Sequence, residues 1–375
     1  MNKINNVLCV FTRILGGKTF SKTLENYVNA QEYTKVTYLD FDAAIYQQYK
    51  TPFYCKISDA MQSAWLIRQK YIDNITDGNT YDAIYFQAYQ LTLPFLDLIK
   101  QKYVVLSLDA TPMSALRTNF AARKIPAYMR FKPMLTHLLN ILMYKQIFSQ
   151  IDMFLARTEL VKKSLMDDYG IPESKVLVTY LPIDNIQSQV SNKSASRLNL
   201  IFAGNDWERK GGPFLLDVFN DACADVAHLT IISTDERVKN IPKRKGVTVV
   251  NGIANEELLK IMACSDVFLF PSWRDELGLV LCEAVSQGLA LLARKSGAQD
   301  EFVQSGINGH LFDFSSTPEQ WRDTIFALAK DRERLTKYKQ NSLKLAQEKL
   351  TPARFQKQLA KAFPRPILNT RTTET

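Results

Sequence analysis

The chain has 375 residues, of which 46% are hydrophobic and 23% are charged, and its formal net charge at pH 7 is +9. This length and composition exclude low-complexity and repeat proteins and predict two globular domains, while the basic charge permits nucleic acid, anionic membranes or anionic small molecules as partners. Neither a signal peptide nor a transmembrane helix is predicted, and the five scattered cysteines include no CxxC pair, so we expect a cytoplasmic protein without a zinc site.

The first half of the chain contains five short apolar runs that predict buried strands, at Val7–Phe11, Val36–Leu39, Ala83–Phe86, Val104–Leu108 and Met153–Ala156. Gly16 and Gly17 follow the first strand, where glycine permits close approach of the backbone to a ligand or simply a flexible turn. Asp40-Phe41-Asp42 has the spacing of a short metal-binding motif, but solvated loop acids are the favoured interpretation. Asp109 ends the fourth strand, where it could bind or deprotonate a hydroxyl group or could be a turn residue.

Residues 110–151 contain no aspartate or glutamate and carry six basic residues: Arg117, Arg123, Lys124, Arg130, Lys132 and Lys145. Aromatic residues lie among them, and a strongly apolar helix is predicted at Met134–Phe148. Such a segment is typical of a surface that rests on anionic lipid, so the first five of these residues are candidates for membrane contact. The alternative is a core helix flanked by solvated basic residues. No RRM, KH or helix-turn-helix pattern accompanies the charge, so nucleic acid is not an expected partner.

A polar stretch, Asn185–Arg197, predicts a linker, and the second domain opens with a predicted strand at Leu198–Ala203. The loop GNDWERKGG then leads into a predicted helix at Pro213–Asp221. Arg209 and Lys210 stand directly before that helix, whose N-terminus has free N–H groups and a positive dipole end. The strand–loop–helix context therefore favours an anion site over a solvated basic turn.

A second strand–loop–helix–strand unit follows, with strands at Asp266–Phe270 and Leu289–Ala293 and an apolar helix that begins after Gly278. Ligands of such sheets lie beyond the carboxyl ends of the strands, and two carboxylates stand there. Asp275 is in the loop and Glu283 is in the helix, with seven residues between them. A charged residue within so apolar a helix is rarely a merely solvated acid, so a functional role is favoured. Cys9, Cys264 and Cys282 lie in apolar segments and are expected to be buried thiols.

The sequences FAGNDWERKGG and PSWRDELGLVLCEA, the latter followed by QGLALLA, resemble the diphosphate-binding loop and the donor-site signature of one enzyme family. This is the retaining family 4 of GT-B glycosyltransferases, also called glycosyl transferases group 1. Glu283 matches the second Glu of the family's pair, and Asp275 stands in place of the first. Glu276 stands where the family has Gly, so either Asp275 or Glu276 could face the donor sugar, and the spacing favours Asp275.

The resemblance implies an α/β fold of two Rossmann-like domains that face a central cleft, with a C-terminal helix that crosses back to the first domain. The implied boundaries are an acceptor-binding domain at 1–185, a linker at 186–197, a nucleotide-sugar-binding domain at 198–350, and the crossover helix with a tail at 351–375.

The implied activity is retaining transfer of a hexose-type sugar from a nucleotide-diphosphate donor to a glycan or lipid-linked acceptor, in synthesis of cell-envelope polysaccharide, lipopolysaccharide or glycolipid. Arg209 and Lys210 would neutralise the leaving diphosphate without a metal or other cofactor. The catalytic candidates are Asp275, Arg209, Lys210 and Asp109. Arg209 and Lys210 are also donor-binding candidates, together with Gly16, Gly17, Leu277, Gly278 and Glu283. Asp109 is the candidate for contact with the acceptor.

Two other functions stay open. One is a GT-B phosphorylase or epimerase, and the other is a non-catalytic protein that binds sugar nucleotides as a scaffold. Arg209, Lys210 and Glu283 speak against the scaffold, because a non-catalytic protein has no need for them. A Rossmann dehydrogenase is disfavoured, since no GxGxxG follows a predicted strand. For the transferase, a location on the inner face of the cytoplasmic membrane is possible.

Overall fold

The computed structural model describes residues 6–12, 17–30, 33, 35–41, 81–121, 141–190 and 196–363. The chain divides into two compact units. The first comprises Met1–Ser114, Phe131–Pro182 and Ala353–Thr375, and the second comprises Ala115–Arg130 and Ile183–Pro352. The last segment of the chain therefore belongs to the first unit. The domain boundaries at 185, 198 and 351 stay a prediction.

The first unit contains a parallel sheet with the strand order β2-β1-β3-β4-β5-β6. Its strands are Asn6–Thr12 (β1), Lys35–Phe41 (β2), Ala83–Phe86 (β3), Tyr103–Leu108 (β4), Met153–Ala156 (β5) and Val176–Val178 (β6). The apolar runs form strands because both faces of the sheet are covered; every residue from Val7 to Phe11 is fully buried. One expectation was wrong: Asp40 lies within β2 and not in the following loop, because β2 continues through Phe41. Asp42 lies outside the described residues.

Among the residues that the structure describes before Pro182, the α-helices are Gly17–Asn29 (α1), Leu96–Ile99 (α2), Pro112–Ala121 (α3), 141–148 (α4) and Glu159–Tyr169 (α5). Helix α5 shows why these segments start and stop where they do. The side chain of Thr158 accepts a hydrogen bond from the N–H of Val161 at its start, and Gly170 adopts the left-handed conformation at its end. The predicted helix at Met134–Phe148 is described only in its second part, α4.

The second unit contains another parallel sheet, with the strand order β12-β11-β10-β7-β8-β9. Its strands are Leu198–Ala203 (β7), Ala227–Ser233 (β8), Val247–Asn251 (β9), Val267–Phe270 (β10), Ala290–Arg294 (β11) and Gly309–Phe312 (β12). Its helices are Gly212–Val218 (α6), Asp221–Val226 (α7), Asn255–Ala263 (α8), Leu279–Ser286 (α9), Pro318–Lys330 (α10) and Arg332–Lys349 (α11). The predicted elements around Arg209, Lys210 and Glu283 are all present, within a few residues of their expected ends.

The C-terminal helix, Pro352–Ala362 (α12), packs within the first unit, as predicted. The ring of Phe363 lies 5.9 Å from the ring of Tyr85 and 6.4 Å from that of Tyr27, measured between ring centres. The hydroxyl of Tyr103 donates to the carbonyl of Ala362 at 3.0 Å. A short aromatic cluster therefore fixes the end of the helix against the sheet.

Cys9 and Cys282 are buried, but Cys264 is exposed, so the expectation of a buried thiol at Cys264 was wrong. The reason is its position: Cys264 is the C-cap of α8, where the chain turns away from the helix. Within the described ranges, every helix is too short or too polar to cross a lipid bilayer.

Candidate functional site

Two loops of the second unit meet where the order of its strands reverses. Residues 204–211 follow β7, residues 271–278 follow β10, and β7 and β10 pair in parallel. From β7 the sheet continues to β8 and β9 on one side, and from β10 it continues to β11 and β12 on the other. In open α/β sheets, ligands bind beyond the carboxyl ends of the strands at this reversal. The two loops therefore contain the first candidates for a binding site.

The loop after β7 is held in a tight turn by its own backbone. The N–H of Lys210 donates to the carbonyl of Asp206, and the N–H of Gly212 donates to that of Trp207, both at 2.8 Å. Gly211 adopts a φ of 80°, and a Cβ on Gly212 would lie 2.1 Å from the Trp207 ring. Only glycine can occupy these two positions without a shift, because one needs left-handed backbone and the other has no free space.

Arg209 is fixed by three oxygen atoms of these loops. Its Nε donates to Asp206 at 2.9 Å, and its Nη1 donates to the carbonyl of Arg274 at 2.8 Å. The same Nη1 lies 3.9 Å from a carboxylate oxygen of Asp275. Since the side chain of Arg209 is 32% exposed, part of the guanidinium still faces solvent and a ligand can reach it.

Lys210 is more deeply placed and forms an ion pair with Asp275. The two side chains are only 13% and 14% exposed, so water screens their attraction weakly. The ammonium nitrogen also lies 5.3 Å from the centre of the Phe270 ring, within the range of a cation–π contact. The structure thus brings Arg209, Lys210 and Asp275 together, with Asp275 and not Glu276 as the carboxylate paired with Lys210.

A second layer of contacts supports the backbone of the loop after β10. The side-chain amide of Gln299 donates to the carbonyl of Asp275 at 3.0 Å, and the N–H of Ala298 donates to that of Glu276 at 2.7 Å. A Cβ on Gly297 would lie 2.2 Å from the carbonyl oxygen of Asp275. Sequence reasoning missed Gln299, whose side chain is fully buried. A polar amide two residues after Ser296-Gly297, in the loop that follows a buried strand, was the available signal.

Glu283 lies on α9, one turn beyond Gly278, and its side chain is half-buried. Burial raises the pKa of its carboxyl group to about 7. The side-chain amide of Asn255, at the start of α8, donates to its Oε1 at 2.9 Å. Sequence reasoning missed Asn255, because α8 is far from Glu283 along the chain. The Glu283–Asn255 pair offers hydrogen-bond acceptors and a donor to a polar ligand.

Leu277 and Gly278 connect these two regions. Leu277 is buried, and Gly278 has a φ of 78° at the N-cap of α9. A Cβ on Gly278 would lie 2.6 Å from the Phe270 ring, so the backbone passes closer to that ring than other residues allow. Their backbone groups thus lie between the Asp275 loop and the helix that bears Glu283.

The remaining candidates lie on other elements. Asp109 directly follows β4 and is exposed, and Gly17 is the first residue of α1. Arg117 is an exposed residue of α3. Four of the membrane-contact candidates and one glycine lie outside the described residues: Arg123, Lys124, Arg130, Lys132 and Gly16. Among the residues that the structure describes, no three His, Cys, Asp or Glu side chains are arranged to hold a metal ion.

The site can therefore bind an anion that accepts hydrogen bonds from both Arg209 and Lys210. Arg209 offers a planar fork of N–H donors and Lys210 a compact charge, next to the first N–H groups of α6. Asp275 and Glu283 add acceptors for hydroxyl groups on either side of Gly278. A ligand that carries both phosphate and hydroxyl groups satisfies all of these residues.

Known proteins resemble this chain in sequence and structure. Residues 197–331 match the family described as Glycosyl transferases group 1. A D-inositol 3-phosphate glycosyltransferase of Nocardioides sp. is 22% identical over 214 residues, which are 48% of this chain and 46% of that protein. The sulfoquinovosyl transferase SQD2 of Arabidopsis thaliana is 38% identical over 63 residues, 16% of this chain and 12% of that protein. The matched segments thus span less than half of each relative.

Solved structures resemble nearly the whole chain. Sucrose-phosphate synthase of Thermosynechococcus elongatus has a TM-score of 0.70 and 12% identity, over 95% of this chain and 97% of that one. Anabaena HepE, solved in complex with UDP-glucose, has a TM-score of 0.66 and 14% identity, over 95% and 98%. WaaG, described as a glycosyltransferase involved in lipopolysaccharide biosynthesis, has a TM-score of 0.62 and 13% identity, over 91% and 95%. These likenesses confirm the predicted GT-B fold class.

Proposed function

We propose that this protein, whose residues 197–331 belong to the family Glycosyl transferases group 1, is a glycosyltransferase that uses a nucleotide-diphosphate sugar as its donor. One observation carries the proposal: Lys210 pairs with Asp275, beside Arg209, at the reversal of strand order. Such a site offers two cations to a diphosphate and a carboxylate to the hydroxyl groups of the sugar joined to it. The sugar is of hexose type.

The reaction breaks the bond between the anomeric carbon and the diphosphate and forms a bond from that carbon to an acceptor oxygen. Arg209 and Lys210 neutralise the charge that develops on the leaving diphosphate, so no metal is needed. The acceptor attacks from the face that the diphosphate leaves, and the anomeric configuration is retained. The departing phosphate oxygen takes the proton of the acceptor hydroxyl. Asp109 is the candidate for orienting that hydroxyl.

The donor is held by groups on both sides of Gly278. Glu283, oriented by Asn255, accepts hydrogen bonds from the ribose hydroxyls, while Asp275 and the backbone of Leu277 and Gly278 hold the sugar. Gly16 and Gly17 stay donor-contact candidates by the family resemblance, since glycine permits close approach of a backbone to a ligand. The UDP-glucose complex of the structurally similar Anabaena protein makes UDP-hexoses the first donors to test.

The acceptor is a glycan or a lipid-linked glycan of cell-envelope polysaccharide, lipopolysaccharide or glycolipid synthesis. The lipopolysaccharide role stated for WaaG and the sulfoquinovosyl transfer stated for the Arabidopsis relative support this class. Arg117, with Arg123, Lys124, Arg130 and Lys132, would rest on anionic lipid at the inner face of the cytoplasmic membrane. Co-sedimentation with vesicles that contain or lack anionic lipid tests this part separately.

The deciding experiment measures binding and turnover of UDP-, GDP- and ADP-sugars without metal, for the wild type, Lys210→Ala and Lys245→Ala. Lys245 pairs with Asp225 on an exposed surface, so Lys245→Ala is the matched loss of one lysine. We expect one donor to bind at micromolar concentration, Lys210→Ala to abolish its binding, and Lys245→Ala to leave it unchanged. If no nucleotide binds the wild type, the proposal is wrong, and a non-catalytic protein that kept the fold without binding nucleotides takes its place.

A further inference from the structure

Arg294, the last residue of β11, is a completely buried cation within a cage of aromatic rings. The centre of its guanidinium group lies 3.7 Å from the ring of Trp273, 4.3 Å from that of Phe214 and 5.9 Å from that of Trp321. Burial lowers the pKa of Arg294 to about 10. The side chain is therefore still positively charged at neutral pH.

This cation has few polar partners. Its Nη1 donates to the carbonyl of Pro271 at 2.5 Å, whereas Nε and Nη2 have no hydrogen-bond partner in the part of the chain that the structure describes. Burial is the one cause of its lowered pKa, which means that no described carboxylate compensates the charge. A buried charge of this kind costs several kcal/mol, and an apolar side chain of similar length is commonly more stable. Stability alone therefore does not explain an arginine at this position.

The contacts of Arg294 lead to both loops of the candidate site. The Pro271 carbonyl that accepts from Arg294 also touches the loop after β7, since a Cβ on Gly211 would lie 2.2 Å from that oxygen. The Trp273 ring stacks on the guanidinium of Arg294. The backbone N–H of Trp273 donates to the carbonyl of Arg209 at 2.9 Å. Pro271 and Trp273 thus each join Arg294 to the segment that carries Arg209 and Lys210.

A third contact involves the helix that starts at this loop. Phe214 lies in the first turn of α6, two residues after Gly212, and its ring covers the guanidinium of Arg294. The side chain of Arg294 therefore touches the start of the loop after β10 and the first turn of α6, the helix that follows the loop after β7. A group in this position fixes the separation of Lys210 and Asp275 without touching either.

We propose that Arg294 is a positioning residue for the anion site: it holds the turn at Pro271–Trp273 against the Arg209–Gly212 loop, so that Arg209 and Lys210 converge on one diphosphate. The inference rests on the proposed function, since the diphosphate is the donor's. It assigns a role to a side chain that lies in a strand and faces away from solvent. Without it, we expect the direct contacts between the two loops to open more often.

The test compares Arg294→Met, Arg294→Lys and Lys295→Met. Met replaces the arginine with an unbranched apolar side chain that fits the aromatic cage. Lys295→Met removes one positive charge at the next residue, which is exposed and pairs with Asp300 at 3.0 Å. Two quantities are measured: the affinity for UDP and for inorganic pyrophosphate by calorimetry, and amide hydrogen exchange in peptides that cover residues 204–212 and 271–278.

We expect Arg294→Met to weaken UDP and pyrophosphate binding by about tenfold or more, because a charge-assisted hydrogen bond that organises the site is lost. Exchange should accelerate in both loop peptides, including the Trp273 amide, while peptides from β8 and β9 exchange at the wild-type rate. Arg294→Lys, which keeps the charge and can still donate to the Pro271 carbonyl, should recover part of the affinity. Lys295→Met should match the wild type in both measurements.

Wild-type affinity in Arg294→Met would overturn the inference, as would faster exchange spread evenly over the second unit, which indicates a loss of stability alone. Failure of the wild type to bind either UDP or pyrophosphate would instead refute the proposed function. In that case the exchange measurement still decides whether Arg294 holds the two loops together, and unchanged exchange in Arg294→Met would overturn that role as well.

Discussion

Lys210 and Asp275 form an ion pair that joins the ends of β7 and β10, two neighbouring strands of the same sheet. Asp275 therefore neutralises a cation that we assign to the diphosphate. A bound diphosphate competes with that carboxylate for Lys210, whereas a bound sugar gives Asp275 new hydrogen-bond donors. The pair thus makes different contributions to the binding of the nucleotide and of the whole donor.

Asp275→Asn separates these contributions. We expect the variant to bind UDP as tightly as the wild type or a few-fold more tightly, because Lys210 no longer has a competing anion, while turnover of the sugar donor falls about 100-fold. Calorimetry with UDP and initial rates with the preferred donor measure the two effects. A large loss of UDP affinity would contradict this view and indicate that Asp275 mainly holds Lys210 in place.

The raised pKa of Glu283 predicts that the free energy of unfolding depends on pH. Its pKa in the folded protein is about 7, above its usual value of 4.5, so between these pH values the folded state binds more protons than the unfolded state. The free energy of unfolding should therefore fall as pH rises from 5 to 7, by at most about 3 kcal/mol from this group. Glu283→Gln should flatten that part of the profile, measured by urea unfolding at each pH. An equal slope in the variant would assign it to other groups.

The same titration should affect donor binding in the opposite direction. A deprotonated Glu283 accepts hydrogen bonds from hydroxyl groups more strongly, so UDP affinity should increase as pH rises through about 7. In Glu283→Gln the affinity should be lower and should rise less between pH 6 and pH 8, because only the terminal phosphate of UDP still titrates in this range. Calorimetric titrations at pH 6 and pH 8, for both proteins, measure the difference. Parallel profiles would show that Glu283 does not contact the nucleotide.

Gly211→Ala and Gly170→Ala form a matched pair. Both glycines have a left-handed backbone, with φ of 80° and 69°, so each substitution should cost about 1 kcal/mol of stability. A Cβ on Gly170 meets nothing within 4 Å, whereas one on Gly211 would lie 2.2 Å from the Pro271 carbonyl. Only Gly211→Ala should also weaken UDP binding, by tenfold or more. Thermal unfolding measures the loss of stability, and calorimetry measures the loss of UDP affinity. Equal UDP affinity in both variants would show that the close contact of Gly211 with the Pro271 carbonyl does not matter for binding.

Loss of the ion pair between Lys339 and Asp266 should lower the stability of the protein without a direct effect on ligand binding. Lys339 is 4% exposed, and its ammonium nitrogen lies 3.0 Å from Asp266, which also accepts from the N–H of Asn199. Lys339→Met should destabilise the protein by about 3–5 kcal/mol, because it leaves a buried carboxylate without its cation. The double variant with Asp266→Asn should recover part of that loss. Denaturant unfolding measures both, and additive losses would mean that the two residues do not interact.

The loops around Lys210 and Asp275 could be predicted from the sequence because each signal is local. An apolar run marks the strand, glycine marks the turn, and the charged residues stand between them, so no distant part of the chain is needed. The pairing of these two loops follows from the general rule that ligands bind where strand order reverses. The position of Asp109, exposed after β4, follows in the same way.

Arg294 could not be predicted, because its surroundings come from three separate segments. Phe214, Trp273 and Trp321 are distant from it in the sequence, and no spacing rule connects them. An arginine at the end of the apolar run ALLAR was the one available signal, and it equally suits a residue that leaves the sheet for solvent. Cys264 shows the converse error: its neighbours are apolar, but its own place at a helix end exposes it.

The packing of α12 has a consequence for the order in which the protein is assembled. The ring of Phe363 covers Tyr85, a residue of the third strand, yet it is synthesised almost three hundred residues later. The last described strand of the first sheet ends at Val178, yet the helix that carries Phe363 to this sheet begins only at Pro352. During translation, the N-terminal sheet therefore leaves part of its aromatic surface uncovered until Phe363 has been made.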